Sequence, residues 1–273
     1  VHQRVEFSLL SMEQIINQAA KWFFMSGGKK SIPLVIRLII GRGWGQGPQH
    51  SQSLESVFAQ IPGLKVVSLS TPQNAKGLIL ASIEDLNPVI IFEHRWIHDI
   101  KGVVPKKYYK VVIGKAKILK KGTDVTLVSN SYSITECLRA HKILKKYNIN
   151  AEIIDLQSLR PLDVNTIVNS VKKTKNLLII DNNIMTYGVS SEIYAKVMES
   201  FKHNNLNKIK IKRIGPPDVS IPSTRSLAKY CYIDYFDIIK SVGDILKKKF
   251  NNLNLYKNNV LNDQPNKNFT GPF

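Results

Sequence analysis

Between Pro33 and Phe58 the pattern of apolar and polar positions changes three times. Leu34 to Ile40 is apolar except for Arg37, which predicts a buried strand. Glycine then takes every second position, at Gly41, Gly43, Gly45 and Gly47, and His50 follows beside Ser51, Gln52 and Ser53. From Leu54 the spacing turns helical, through Val57, Phe58 and Ile61. A strand, a glycine-rich polar loop with one histidine, and a helix start describe a functional loop of an α/β domain. The glycine spacing does not fit the dinucleotide fingerprint, and no Gly-Lys-Ser/Thr makes a phosphate-binding P-loop.

Upstream, Met12, Ile15, Ile16, Ala19, Ala20 and Phe23 make one apolar helix face. Ser11, with Gln14 three on, has capping-box spacing, and Gly27-Gly28 is a helix stop. Downstream the pattern predicts a strand at Lys65 to Ser68, a helix opened by Pro72 and a strand at 89–94. Residues 95–112 have no clean period and read as a surface connection. The alternation then restarts. A hairpin leads into a core strand, Val125 to Ser129, and Ser131 or Ser133 caps a helix running to Tyr147. A strand at Ala151 to Leu156 precedes a helix opened by Pro161 and Asp163. Leu177 to Ile180 is wholly apolar, as suits a central strand. A glycine-preceded helix, an alternating edge-like strand (KIKIKRIG) and a last helix (DYFDIIKSVGDILKK) follow. The expected fold is α/β, with two open, mostly parallel sheet domains. Residues 1–97 form the first domain, 98–112 the linker and 113–250 the second domain. Residues 251–273 are an Asn/Lys-rich tail, poorly ordered or laid over a partner as an arm.

Composition changes this picture little. The 273 residues suffice for two domains, and 43% of them are hydrophobic. The formal charge of +19 is spread over short lysine clusters such as Lys106-Lys107 and Lys172-Lys173, with no long basic helix and no interleaved aromatics. An anionic substrate or acidic protein partner is expected, and no nucleic acid. No apolar run reaches membrane-spanning length, so no membrane partner is expected either. Cys137 and Cys231 lie far apart in apolar contexts, which suggests a reducing compartment. The chain opens on Val1 without a signal-like stretch, and is expected to be processed or to lack something upstream.

His50 is the sharpest candidate for chemistry. A neutral imidazole accepts or gives a proton near pH 7, and flanking glycines admit a ligand to the backbone. The alternative is a polar loop histidine bonded to a carbonyl. Glu93, His94 and His98 fall close together, but no fourth group is spaced to complete a metal site, and none is expected. His141 reads as a surface or boundary residue. Phe7 and Trp44 are placed to stack on a flat heterocycle or to fill a core or interface. Arg37, charged inside an apolar strand, needs a partner such as Glu93. Asp163 suits a helix start and a structural role. Neither a nucleophile elbow nor a carboxylate pair for glycoside work is present.

The segments INQAAKWFFMSGG, GQGPQHSQSLESVFAQIPGLKVV, TPQNAKGLILASIEDLNPVIIFEH, EIIDLQSLRPLD and YGVSSEI, in this order, carry a resemblance. Together they resemble the beta subunit of a thiamine-diphosphate-dependent 2-oxoacid dehydrogenase, the E1 component of pyruvate and branched-chain complexes. The resemblance covers about Val5 to Lys249. It implies a partial transketolase-type pyrimidine-binding domain followed by a transketolase C-terminal domain. It implies an alpha subunit in an α2β2 assembly, a second beta subunit and a lipoyl-bearing acyltransferase. Thiamine diphosphate would lie between unlike subunits, with Mg²⁺ held by the alpha subunit. The family's active-site histidine falls on His50, and its ring against the pyrimidine falls on Phe7. The expected location is the cytoplasm, or an organelle matrix after processing. The expected reaction is oxidative decarboxylation of pyruvate or a branched-chain 2-oxoacid with acyl transfer to lipoyl. The alternatives are another transketolase-type enzyme moving ketol or acyl units, and a truncated non-catalytic subunit. The family's essential glutamate has no counterpart here, and Glu6 stands too close to the helix start to replace it. The chain is therefore expected to be a fragment or the companion of a separately encoded first part.

Overall fold

The computed structural model describes residues 1–41, 46–201 and 207–256. The first sheet contains β1 (Val35–Ile40), β2 (Lys65–Ser68), β3 (Val89–His94) and β7 (Ser158–Arg160), in the order β1-β3-β2-β7. The second contains β4 (Lys117–Lys120), β5 (Val125–Ser129), β6 (Ala151–Asp155), β8 (Asn176–Ile180) and β9 (Lys210–Ile214), in the order β4-β6-β5-β8-β9. The helices are α1 (Ala20–Met25), α2 (Glu55–Ala59), α3 (Pro72–Ile83), α4 (Ser133–Leu144), α5 (Val164–Thr174), α6 (Val189–Glu199), α7 (Arg225–Ala228) and α8 (Tyr235–Leu246). In both sheets the inner strands pair in parallel, as the continuous apolar runs predict. No helix among the described residues is long and apolar enough to cross a membrane.

Local chemistry accounts for three of the helix starts. Thr71 caps α3: its Oγ1 accepts from the Asn74 amide at 3.2 Å, and Asn74 Oδ1 accepts from the Thr71 amide at 2.9 Å. Pro72 opens the helix, where its missing N–H costs nothing. Asp163 and Asp234 cap α5 and α8 in the same manner.

Several expectations are corrected. The N-terminal helical run begins at Val5, in tight turns over Val5–Ser11, and so encloses Ser11 instead of being capped by it. Neither Ser131 nor Ser133 caps α4: Ser131 takes a left-handed φ of 52°, and Ser133 Oγ donates to Asn182 Oδ1 at 2.5 Å. β4 and β5 are not a hairpin, because β6 lies between them and pairs antiparallel with β4. β7 was not foreseen; three residues are too short to show a period. It leaves the second half of the chain and adds antiparallel to β2, with Val66 opposite Arg160.

One hydrophobic cluster serves both sheets. Val5, Leu38, Phe58 and Phe92 pack with Val128, Ile154, Leu156 and Ile167, all buried. A polar seam runs beside it. Ser70 Oγ donates to Asp155, Asn74 Nδ2 donates to the same oxygen at 3.0 Å, and Asn130 Nδ2 donates to Ser68 Oγ at 3.0 Å. The carboxyl ends of β2, β5 and β6 therefore meet across this junction, where α/β proteins place their ligands.

Candidate active site

At the end of β1 the chain leaves the sheet at Gly41. Its φ is +89°, and a Cβ there would stand 2.1 Å from His94 Nε2, so no other residue fits without a shift. The Gly41 amide donates to the Gln52 carbonyl at 3.2 Å, which closes the base of the loop. His50 sits on the returning arm.

The N-terminal residues fold over this loop. His2 adds to the outer edge of β1, donating its amide to the Arg37 carbonyl at 2.9 Å and accepting from the Ile39 amide at 3.3 Å. That anchor brings the Val5–Ser11 turns to His50. Arg4, buried, donates to the Gly41 carbonyl at 3.4 Å and to Gln46 Oε1, and so spans the loop from entry to return. Burial and the nearby Arg95 lower Arg4 to about 10, still charged at neutral pH.

Glu6 and Phe7 both reach His50. His50 Nδ1 lies within hydrogen-bond reach of Glu6 Oε1. The Phe7 ring lies 5.5 Å from the imidazole, centroid to centroid, inclined at 39°. The His50 side chain is 39% exposed against 11% for Glu6, so the imidazole faces outward from a carboxylate set behind it. Glu6 Oε2 is buried with no hydrogen-bond partner among the described residues. Phe7 is 46% exposed, which leaves it room for a flat ring.

Behind the loop, Ser51, Ser53, His94, Tyr132 and Asp181 line a small cavity between the sheet ends, with room for water. Close by, Glu55 is 2% exposed and neither of its oxygens accepts a hydrogen bond of normal geometry. Burial pushes its carboxyl up to about 8, and the neighbouring Asp181 adds to the rise.

The other foreseen residues separate. Arg37 and Glu93 form the expected pair, with Nε to Oε1 at 2.5 Å and Nη2 to Oε2 at 2.9 Å. His98 Nε2 lies 3.3 Å from Glu93 Oε2. His94 points to the opposite face of β3 and stacks on Tyr132, centroids 5.0 Å apart. Glu93, His94 and His98 thus do not converge on one point. His141 is buried, not at a boundary, and its Nδ1–H donates to the Ala151 carbonyl at 3.1 Å. Trp44 lies outside the described residues. Glu6 and Arg4 were missed as site residues; the only signal for them was charge flanking Val5 ahead of a helix.

Comparison with known proteins places this geometry. Residues 2–97 match the transketolase pyrimidine binding domain, and residues 114–237 match the transketolase C-terminal domain. The chain is 42% identical to the acetoin:2,6-dichlorophenolindophenol oxidoreductase subunit beta of Bacillus subtilis, over 77% of this chain and 61% of that protein. It is 38% identical to the mitochondrial pyruvate dehydrogenase E1 component subunit beta of Bos taurus, over 88% of this chain and 68% of that protein. A solved split-gene transketolase, an inactive beta4 tetramer, shares the fold with a TM-score of 0.74 at 20% identity, over 90% of this chain and 76% of that one. The chain spans between 61% and 74% of the length of the curated relatives it matches. With both domains present in this order, and with identity of this level over two thirds of a relative's length, the chain belongs to the transketolase-like E1 beta family of thiamine-diphosphate-dependent 2-oxoacid dehydrogenases.

Proposed function

We propose that this chain supplies the histidine-bearing half of a thiamine-diphosphate-dependent 2-oxoacid dehydrogenase site, completed by an alpha subunit. The observation that carries the reading is the meeting of His50 and Phe7 at the mouth of the glycine loop. The residues present fit the aminopyrimidine end of the cofactor. Phe7 offers a half-exposed ring face, and His50 stands alongside. No cradle for a diphosphate or its Mg²⁺ stands out among these groups, and that end belongs to the alpha subunit. When bound, thiamine diphosphate stabilises the carbanion left by decarboxylation. The protein's share is then to orient the heterocycle on Phe7 and to give or take a proton at His50. The exposed Leu10 and Phe24, 88% and 87% accessible, favour coverage by other subunits, the alpha chain and a second beta chain. A lipoyl-bearing acyltransferase is the proposed acceptor, with pyruvate or a branched-chain 2-oxoacid as substrate.

A second reading has its own support. The Bacillus subtilis relative is an acetoin oxidoreductase subunit, so a transketolase-type enzyme moving another acyl or ketol unit is the alternative. The test is reconstitution with the alpha subunit and turnover of pyruvate, branched-chain 2-oxoacids and acetoin, read with a dye acceptor and with lipoyl domain. His50→Ala is expected to cut turnover of the true substrate about 10²–10⁴-fold with subunit assembly intact. Unchanged turnover would remove His50 from the site.

A further inference from the structure

We propose that Glu6 is the positioning residue of His50: it holds the imidazole proton on Nδ1 and turns the Nε2 lone pair toward substrate. The proposal rests on the functional reading of His50 above.

The chemistry is restrictive. An ionised carboxylate only accepts hydrogen bonds, and a neutral imidazole has one N–H to give. With Nδ1 against Glu6 Oε1, that N–H is committed to Nδ1. Nε2 is left as the outward nitrogen of a side chain 39% exposed. A free histidine side chain in water favours the opposite tautomer, with the proton on Nε2. Glu6 therefore selects which nitrogen carries the lone pair. When Nε2 takes a proton, the ring becomes imidazolium with Nδ1–H still on Glu6, and the carboxylate charge lies against the new positive charge.

The placement of Glu6 is itself determined. It lies in the turns over Val5–Ser11, which are fastened at His2 to the edge of β1 and at Arg4 to the loop that carries His50. Carboxylate and imidazole thus reach each other from two segments tied to the same strand. Phe7, next in sequence, contacts the ring and limits its rotation. A carboxylate that merely joined the loop to the helix would be replaceable by any hydrogen-bonding side chain. Glu6→Gln keeps an acceptor for Nδ1–H but removes the charge, whereas Glu6→Ala removes both.

The experiment uses the chain assembled with its alpha subunit and labelled with ¹⁵N-histidine, the His50 resonances being assigned by their loss in His50→Ala. The wild type is expected to show the Nδ1–H tautomer, Glu6→Gln to keep it, and Glu6→Ala to move toward Nε2–H. Turnover is expected to fall about 10–100-fold in Glu6→Ala with little change in KM, and less in Glu6→Gln. Adding Glu6→Ala to His50→Ala should cost nothing further, because the two act as one unit. Unchanged His50 resonances in Glu6→Ala, or losses that multiply in the double variant, would overturn the assignment. If His50→Ala alone kept full turnover, the functional reading would fail, while the resonances would still decide what Glu6 does.

Discussion

Glu55 carries a heavy desolvation penalty behind the site. A carboxyl 2% exposed, whose oxygens accept no hydrogen bond of normal geometry, resists ionisation, and its pKa of about 8 leaves it mostly neutral at pH 7. The sign of its linkage follows. The folded state binds this proton more tightly than the unfolded chain, so its contribution is full below the unfolded pKa near 4.5. That contribution is lost as pH rises toward 8. Glu55→Gln is expected to remove this slope, a gain at pH 8 relative to pH 5 of about 3–4 kcal/mol. Thermal melts of both proteins from pH 5 to 8 check it; parallel curves would mean that Glu55 finds a partner in solution. At this scale the sequence was partly legible. Arg37 betrays itself by interrupting an apolar strand, and its need for a carboxylate led to Glu93. Glu6 and Glu55 stand in polar stretches where a charge is unremarkable, and only the folded chain shows one beside His50 and the other sealed from water.

Strands β1 and β3 are joined by more than their ladder. Arg37 pairs in register with Ile91, two residues before Glu93, so the guanidinium and carboxylate share a face. Burial pushes Glu93 up, but hydrogen bonds from His98 and Arg37 outweigh it and hold the group at about 2. For a carboxylate so depressed, the stabilisation is present above about pH 4.5 and is lost as pH falls toward 2. Arg37→Ala is expected to cost about 1–2 kcal/mol at pH 7, held below the figure for a sealed pair because Arg37 is 41% exposed. The variant's acid unfolding should begin at higher pH, and denaturant melts at pH 7 and pH 3 measure both effects. Elements of this kind were legible where an apolar run had clear stops, as at Lys65–Ser68 and Val89–His94. The β4–β5 hairpin was misread because a short Lys-Gly turn suggests adjacency. β5 is flanked on both sides by parallel partners, and exposed β4 is left the outer edge of β6.

Over the whole molecule, each sheet keeps a cluster of its own and the two share another. Leu156, 1% exposed, belongs to the cluster that also holds Leu38 and Phe92. Chains whose halves bury a common cluster unfold together. Leu156→Ala is expected to cost about 2–5 kcal/mol and to lower a single calorimetric transition without splitting it. A variant scan with two separated peaks would show that the halves melt independently. Domain order was legible because each half repeats the strand–helix alternation; the shared core was not, since periodicity records burial without naming the neighbour.

The three residues of β7 have a practical bearing. Ser158–Arg160 lie far beyond the irregular stretch 98–112, yet they complete the first sheet on the outer side of β2. Cutting the polypeptide within that stretch would divide it where the backbone looks free and strip a rung from the amino-terminal fragment. The carboxy-terminal fragment would keep a stranded segment with nothing to lie against. Grafting either half onto another scaffold thus means carrying that rung along, or supplying a substitute for it.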